Sequence, residues 1–327
     1  MTQRRCAIFL AVLGALAVWG CGPKDNPPAA GSGGGTSAPA AGGKTFVIGM
    51  SQCTVDEPWR VQMDQDIQDA AAKHPELKLL VSVAGDNSAT QQQDVRTFVQ
   101  QKVNLIIISP KESRPLTKPV EEAMDAGIPV IVLDRKIEGD KYTCFIGGDN
   151  VKIGREAGKY MVQLLGGKGN VVELKGLMTS TPAQERHNGF MEGIKGSKIQ
   201  IVFDAESKWK QDIAQKDMSS ALQTKPQIDA VYAHNDPSAH GAYLAARTEG
   251  KGREKQIKFI GIDALPSEGV RLVREGVLTA TFQYPTGGKE AIDTALKVLH
   301  GEKVDKNITL GTRIFTHDNV SQGGKEL

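Results

Sequence analysis

From residue 45 onward the sequence repeats one pattern, in which a short apolar run rich in β-branched residues is followed by a longer amphipathic segment. Such runs are typical of buried strands, and the segments after them are typical of surface helices; in DVRTFVQQKV, for example, Val95, Phe98 and Val99 share one helical face. Strands that alternate with helices predict parallel sheets covered by helices on both faces. The runs are TFVIGMS, KLLVSV, NLIIIS, PVIVLD, TCFIGG, NVVELKG, KIQIVFD, DAVYAH, IKFIGID and LTATFQ.

This many strands exceeds what one compact sheet of the kind usually carries, and 327 residues are enough for two domains of ordinary size. We therefore predict an α/β fold with two lobes. In open parallel sheets ligands bind beyond the carboxyl ends of the strands, so the residues that directly follow the apolar runs are candidate site residues. These are Cys53 to Arg60, Ser109, Asp134, Arg135, Thr179 to Arg186, Trp209, His234 to Asp236, Asp263, Ala264 and Gln283.

The candidates include carboxylates, amides, guanidinium groups and two tryptophans. The apolar C–H faces of a sugar stack on aromatic rings, and its hydroxyls both donate and accept hydrogen bonds. Trp59 and Trp209 both fall at strand exits, whereas Trp19 precedes the folded body. The set favours a polyol over an anion, because the carboxylates would repel negative charge.

The chain lacks the sequence patterns of several enzyme classes. It has no Walker phosphate loop, no Gly-x-Ser-x-Gly elbow and no His-Glu-x-x-His helix, and its 6 histidines are scattered. A formal net charge of +2, with no dense basic run after the first few residues, does not fit a nucleic-acid binder. We predict no cofactor, no metal site, no catalysis and no nucleic-acid partner.

The N-terminus has the form of an export signal. A basic MTQRR precedes AIFLAVLGALAVWG, an apolar run too short to span a membrane comfortably. AVWGC resembles a bacterial lipobox, which would make Cys21 the lipidated first residue; the alternatives are a plain secretory signal or an uncleaved anchor. We expect a signal peptide over residues 1–20 and, because residues 21–44 are almost all Gly, Pro, Ala and Ser, a flexible linker after it.

Two cysteines remain for the folded body, Cys53 and Cys144, since Cys6 lies in the predicted signal and Cys21 at the predicted lipid site. In an oxidising compartment they either pair in a disulfide or stay as two separate buried thiols. The sequence leaves both alternatives open, because it does not give the distance between them.

Six segments, taken in order along the chain, resemble the periplasmic sugar-binding proteins of ABC transporters, in the ribose-binding-like group. Ser51-Gln52, Trp59-Arg60 and VYAHND are similar to the members that bind galactofuranose. The resemblance implies two Rossmann-like lobes joined by a multi-strand hinge, one from 45–148 and about 283–312, the other from 149–282 and about 313–327. The six segments are GIPVIVLDR, GGDNVKIGREAG, TPAQERHNGF, VYAHNDPSAHGA, FIGIDALPSEGVRLVREGVLTATFQYP and ALKVLHGEKV.

The resemblance also implies a set of sugar-contacting residues. Ribose binders have an asparagine where Glu57 stands and an aromatic residue where Arg60 stands, which argues against ribose as the ligand. For the last sugar-contacting position along the chain, the resemblance leaves two candidates, Gln283 and Tyr284. The implied positions are Glu57, Trp59, Arg60, Ser109, Asp134, Arg135, Arg186, Trp209, Asn235, Asp263 and Gln283.

Several of these residues have a second interpretation. Trp59 and Trp209 are either stacking surfaces for a sugar or packed side chains of their own lobes. Asp134 and Arg135 either bind the ligand or pair with each other at a surface turn. Arg186 is either a site residue or a solvated helix charge.

Two prolines suggest helix starts next to the site. Asp236 before Pro237 has the form of a helix N-cap followed by proline at the first helical position, so we predict Asn235 as the ligand residue and Asp236 as the structural one. Glu57 before Pro58 either caps the first helix or contacts the ligand.

The predicted function is capture of a monosaccharide between two lobes that close on it. The protein would be a monomer, held by its lipid anchor in the periplasm or at the outer face of the cytoplasmic membrane, and it would deliver the sugar to the permease subunits of an ABC importer. The alternatives are a receptor for chemotaxis or a sensor kinase and a secreted carbohydrate-active enzyme. A regulator with the same ligand core would need a DNA-binding head, where this sequence has a signal and a linker.

Overall fold

The computed structural model describes residues 45–327; the predicted signal, Cys21 and the linker lie outside the described residues. All of the apolar runs predicted as strands form strands. The strands are β1 Phe46–Gln52, β2 Leu77–Val83, β3 Leu105–Ser109, β4 Val130–Leu133, β5 Cys144–Gly148, β6 Lys168–Lys175, β7 Lys198–Glu206, β8 Ala230–Ala233, β9 Lys258–Asp263, β10 Ala280–Gln283, β11 Asn307–Leu310, β12 Arg313–Thr316 and β13 Lys325–Glu326. The helices are α1 Pro58–Ala71, α2 Ser88–Gln100, α3 Ser113–Asp125, α4 Asn150–Leu164, α5 Thr181–Ile194, α6 Gln211–Thr224, α7 Asp236–Thr248, α8 Gly269–Arg274 and α9 Gly288–Leu299.

The strands form two sheets. The first has the order β11-β5-β4-β3-β1-β2, and every pairing in it is parallel. The second has the order β13-β12-β10-β9-β8-β6-β7, in which β12 and β13 join antiparallel at one edge. We call the first sheet with α1, α2, α3 and α9 the first lobe, and the second sheet with α4 to α8 the second lobe.

Each sheet is buried between two layers of helices, as the alternating pattern predicts. In the first lobe Met63 of α1 and Val120 of α3 belong to cores on opposite faces of the sheet, and both are fully buried. In the second lobe Phe190 of α5 and Met218 of α6 likewise belong to cores on opposite faces of the sheet, and both are fully buried. This confirms the predicted α/β class with two lobes.

Three segments of the chain cross between the sheets, after β5, β10 and β11. Two of the crossings are bonded to each other, since Thr312 donates a hydrogen bond of 2.6 Å from Oγ1 to the carbonyl oxygen of Gln283. The C-terminal residue is tied to the same place, because the backbone N–H of Leu327 donates to the carbonyl oxygen of Thr312 at 3.1 Å. The lobes are thus joined by several strands, as the resemblance implies.

Cys53 and Cys144 are two separate, fully buried thiols and do not form a disulfide in this structure. Strand register explains why. Through β4 and β3, Cys144 is level with Met50 of β1, and Cys53 lies three residues further along the chain. Three strand spacings of about 4.8 Å also separate them, well beyond the ~7 Å that a disulfide tolerates between Cα atoms.

Across residues 45–327, the helices are too short or too polar for any of them to cross a membrane.

Candidate functional site

Most of the predicted site residues line one cavity between the lobes, at the carboxyl ends of both sets of strands. The space between its walls, counted together with the part open to solvent, is about 280 Å³. The lining residues are Glu57, Trp59, Arg60, Asp134, Arg135, Pro182, Arg186, Trp209, Asn235, Asp263 and Tyr284.

Arg60 is the centre of a buried network in the first lobe. Its guanidinium donates to Asp134 Oδ2 at 2.7 Å from Nη2 and to Ser109 Oγ at 2.6 Å from Nη1. Ser109 donates in turn to Asp134 Oδ2 at 3.2 Å, and it lies behind the cavity wall instead of lining it. Burial acts to raise the pKa of Asp134, but Arg60 and Arg135 outweigh it and hold that pKa below its ordinary value.

The closest partner of Asp134 is Arg60, and not Arg135, with which the sequence analysis paired it at a surface turn. Arg60 makes the short contact, whereas the Nε of Arg135 lies 3.7 Å from Asp134 Oδ2. Arg135 is only 4% exposed and donates to the carbonyl oxygen of Lys111 at 2.9 Å. The alternative of a solvated pair at a surface turn is therefore wrong, because both side chains are buried at the cavity.

Arg186 is also buried, at 2% exposure, which excludes the solvated helix charge. Its Nε donates to Asn150 Oδ1 at 2.9 Å, and Nη1 donates to the carbonyl oxygen of His234. Close packing of α4 and α5 puts it there: a Cβ at Gly154 would collide with the backbone of Arg186.

Trp209 forms a wall of the cavity from the loop before α6. Its φ of +71° is unusual for a residue with a side chain, and the ring lies on Gly176, where a Cβ would collide with it. The guanidinium carbons of Arg135 and Arg186 are 5.5 and 5.4 Å from the ring centroid, within cation–π range. Its buried indole N–H has no hydrogen-bond partner in the described part of the chain. Trp209 thus combines a side chain that lines the cavity with an unpaired donor.

Asp263 also has a strained backbone, with φ of +124°. Its carboxylate accepts no hydrogen bond from residues 45–327, and its ion-pair contact is a long one, 3.8 Å from Oδ1 to Arg186 Nη1. Burial raises the pKa of Asp263 well above its ordinary value, and the negative charge of Asp236 adds to the effect while Arg186 opposes it.

Asn235, and not Asp236, is the N-cap of α7, so the sequence prediction was wrong by one residue. Asn235 Oδ1 accepts from Ser238 N–H at 3.1 Å, and Nδ2 donates to the carbonyl oxygen of Trp209 at 2.9 Å. Asp236 is structural, as predicted, but by other contacts: its carboxylate accepts from Ala264 N–H and from Thr281 Oγ1. Asn235 therefore holds the Trp209 loop as well as lining the cavity.

Trp59 is a packed side chain of its lobe and also a cavity residue. It belongs to a core of the first lobe at 5% exposure, and it also lines the cavity. Its indole N–H donates to the carbonyl oxygen of Tyr284 at 2.8 Å, which leaves the ring, and not the nitrogen, for a ligand.

Glu57 is the N-cap residue of α1, but it caps the helix through its backbone carbonyl alone, because its side chain makes no capping hydrogen bond. The carboxylate accepts no hydrogen bond from the described residues and lines the cavity. Burial raises the pKa of Glu57, while Arg60 and Arg135 act against the shift.

Tyr284 lines the cavity where the sequence placed Gln283. Its hydroxyl donates to the carbonyl oxygen of Asp134 at 3.0 Å, and the guanidinium carbon of Arg186 is 4.7 Å from its ring centroid. Gln283 lies outside the lining and bonds through its backbone to Thr312. Of the two residues that the resemblance left open, Tyr284 is thus the one at the cavity.

The lining contains equal numbers of guanidinium and carboxyl groups, from Arg60, Arg135 and Arg186 and from Glu57, Asp134 and Asp263. Across residues 45–327, no three His, Cys, Asp or Glu side chains are grouped so that they could hold a metal ion.

The described part of the chain matches known proteins along most of its length. The model of the periplasmic binding protein domain matches residues 48–303. The chain is 33% identical to the ribose import binding protein of Bacillus subtilis, over 84% of this chain and 88% of that protein. It is 31% identical to the galactofuranose-binding protein of Escherichia coli, over 81% of this chain and 86% of that protein.

Solved structures have the same fold. The fructose-binding periplasmic domain of a hybrid two-component system is 44% identical, with a TM-score of 0.82 over 85% of this chain and 93% of that one. A Mycobacterium smegmatis protein in complex with β-D-fucofuranose is 30% identical, with a TM-score of 0.81 over 85% of this chain and 94% of that one.

Proposed function

Since this chain belongs to the ribose-binding-like group of periplasmic sugar-binding proteins, we propose that it captures one neutral monosaccharide in the cavity between its lobes and delivers it to an ABC importer. The predicted site residues at the cavity, with Tyr284 in place of Gln283, would make the contacts. Recognition is the whole task of this chain, without catalysis, and transport is carried out by the permease subunits.

The combination of unpaired donors and unpaired acceptors in one cavity carries this proposal. The N–H of Trp209 Nε1 and the Nε–H groups of Arg60 and Arg135 are buried and have no hydrogen-bond partner in the described part of the chain. Glu57 and Asp263 supply carboxylate oxygens that accept no hydrogen bond there. A sugar hydroxyl satisfies both kinds of group because it donates and accepts, whereas a phosphate is mainly an acceptor and would leave the carboxyl oxygens of Glu57 and Asp263 without a donor.

A sugar in furanose form is the ligand we propose. The 44% identical domain is named for fructose, and similar structures are described with β-D-fucofuranose and as a galactofuranose-binding protein. Arg60 supports this choice over ribose, because a guanidinium stands where ribose binders have an aromatic ring. D-fructose is the first sugar to test.

Closure of the lobes would couple binding to delivery. Arg135 from the first lobe contacts Trp209 from the second, so a ligand between them gains contacts from both sides only when the lobes are together. A ligand that binds the closed form better shifts the population toward it. The permease would then recognise this closed form.

A thermal-shift screen tests the proposal, since a ligand that binds the folded state raises the melting temperature by mass action. The panel contains D-fructose, D-galactose, L-arabinose, D-ribose, myo-inositol and, as matched anionic controls, fructose 6-phosphate and galacturonate. We expect a clear rise for at least one neutral member, a smaller one for ribose and none for the anions. A rise for the anions alone would contradict the proposal.

The lipid anchor at Cys21 and the periplasmic location at the membrane are part of the same proposal, as is the monomeric state. Growth of cells with a radioactive fatty acid should label the wild-type chain and leave Cys21→Ser unlabelled. An unlabelled wild-type chain would count against the anchor.

Sensing is a second candidate, because the 44% identical domain comes from a hybrid two-component system. Cross-linking of the sugar-loaded protein in intact cells distinguishes the two functions. Transport predicts permease subunits among the cross-linked partners, and sensing predicts a receptor or sensor kinase.

A further inference from the structure

Four charged residues lie just outside the cavity, and each is the chain neighbour of a residue that lines it. They form pairs of opposite charge, and each pair bridges the two lobes. The first lobe contributes Asp56 and Lys136, next to Glu57 and Arg135, and the second lobe contributes Glu185 and Lys210, next to Arg186 and Trp209.

The first bridge joins Lys136 of the first lobe to Glu185 of α5 in the second. Its Nζ–Oε1 distance is 2.8 Å, and the side chains are 40% and 23% exposed. The backbone N–H of Lys136 also donates to Thr181 Oγ1 at 3.0 Å, across the same gap. The bridge thus joins the chain neighbours of Arg135 and Arg186, two residues that line the cavity.

The second bridge runs in the opposite direction, from Lys210 of the second lobe to two carboxylates of the first. Lys210 Nζ lies 3.0 Å from Asp56 Oδ2 and 3.5 Å from Asp86 Oδ2. Lys111 of the first lobe holds Asp86 from its other side at 3.1 Å. The hydrogen bond to Asp56 raises the pKa of Lys210, so the lysine stays charged at physiological pH.

We infer that Lys136 and Lys210 are positioning residues for ligand capture: each reaches across the cleft to the other lobe, and together they bring Arg135 and Trp209 into the closed cavity. The arrangement is reciprocal, because each lobe supplies one lysine and receives one. Neither lysine lines the ligand cavity itself, so their effect passes through closure. Their part in sugar capture rests on the proposed function, whereas the bridging of the lobes does not.

The side chains of both bridges are partly exposed to water, so each bridge should change the free energy of closure only slightly. Pairs of this kind contribute little each and are weakened by salt, so removing one should change the closing equilibrium by about twofold to fivefold. Closure should therefore respond to ionic strength even without a sugar.

The test uses the full chain with spin labels on cysteines introduced at Val61 and Lys216, which are exposed on α1 and α6 of the two lobes. Interlobe distances are measured by pulsed electron resonance without sugar, at low and at high NaCl. The variants are Lys136→Ala with Lys210→Ala, the charge exchange Lys136→Glu with Glu185→Lys, and the control Lys141→Ala. Lys141 pairs with Asp125 at 2.7 Å within the first lobe.

We expect the double alanine variant to lose short interlobe distances, and high salt to do the same to wild type. The charge exchange should keep them and Lys141→Ala should not change them. Distance distributions identical in wild type and the double alanine variant would overturn the inference, as would an effect of the same size from Lys141→Ala.

A second arm uses any neutral sugar that raises the melting temperature. Its Kd should rise by about twofold to tenfold in the double alanine variant at low salt, with the difference shrinking at high salt. If no sugar of the panel binds, the proposed function fails while the distance measurement still decides whether the bridges act.

Discussion

The two lobes line one cavity, but they hold their polar groups in different ways. In the first lobe Arg60, Asp134 and Ser109 bind one another. In the second lobe the N–H of Trp209 Nε1 has no partner within residues 45–327, and the carboxylate of Asp263 is 3.8 Å from its nearest cation. The first lobe therefore supplies a preformed network, beside which Glu57 and the Nε–H groups of Arg60 and Arg135 remain unpaired. The two groups compared in the second lobe have no such network, and a ligand must satisfy them.

The two buried aspartates show the same contrast. Guanidinium groups hold the pKa of Asp134 below its ordinary value against the effect of burial, whereas burial raises that of Asp263. A buried, paired charge belongs to a rigid scaffold, while a buried, poorly paired one is costly until a partner arrives. Because the network of the first lobe is already formed, fewer side chains lose conformational freedom when a ligand binds. We therefore expect discrimination between sugars to come mainly from the second lobe.

The largest effect should come from the tryptophan of the first lobe. Trp59→Ala removes a core side chain and its hydrogen bond to Tyr284, and we expect a loss of about 3–5 kcal/mol in the free energy of unfolding. Urea denaturation measures this loss.

Trp209→Ala is the matched change in the second lobe, where the ring belongs to none of the apolar cores of the described chain. It should weaken sugar affinity by tenfold or more, as for a central aromatic contact, with a much smaller change in unfolding. Equal losses of stability in both variants would remove the contrast between the lobes.

Asp134→Asn should be next in size, because it leaves the buried guanidinium of Arg60 without its ion pair. We expect a loss of about 3 kcal/mol at neutral pH. Since the pKa of Asp134 is lowered in the folded state, its stabilisation is present above the ordinary pKa of a carboxyl and is lost as pH falls toward the lowered value. Unfolding curves at several pH values should therefore converge for wild type and variant at acidic pH.

Asp263→Asn should have the opposite pH dependence. A carboxyl with a raised pKa takes up a proton on folding, so it favours the folded state at acidic pH and loses that advantage as pH rises through the raised value. Without ligand, the variant should be at least as stable as wild type at pH 7, although it loses sugar affinity. A variant clearly less stable than wild type at pH 7 would show that Arg186 already pairs with Asp263 effectively.

The smallest effect should come from Tyr284→Phe, which removes only the hydroxyl that donates to the carbonyl oxygen of Asp134 at 3.0 Å and accepts a long bond from Asn150 Nδ2 at 3.5 Å. A loss of about 1 kcal/mol is expected for one hydrogen bond. Calorimetric melting measures it, and Gln283→Ala is the control, since that side chain lies outside the cavity lining. A larger effect from the control would show that the side chain of Gln283 stabilises this part of the molecule more than the Tyr284 hydroxyl does.

The sequence predicted the main strands because each is a buried apolar run. It missed β11, β12 and β13, which are strands of two to four residues at a sheet edge or next to one. Such short segments hold too few residues for a periodic pattern to mark them, and tertiary contacts decide their pairing.

The cavity could be predicted because residues after parallel strands meet at one edge. The error at Gln283 has a simple cause: side chains alternate along a strand, so a slip of one residue exchanges the two faces. The pairing of Arg60 with Asp134 joins residues 74 positions apart, and no local pattern records it. The misplaced N-cap at Asp236 is also a shift of one residue, within the usual uncertainty of helix ends.

Calorimetric titration of the full chain with the neutral sugar that gives the largest thermal shift tests the central claim most directly, if Trp209→Ala and Asp263→Asn are titrated beside wild type. We predict one-to-one binding with a micromolar or tighter Kd in wild type and much weaker binding in both second-lobe variants, which remain folded. Unchanged affinity in both variants, or no heat of binding with any neutral sugar of the panel, would contradict the account.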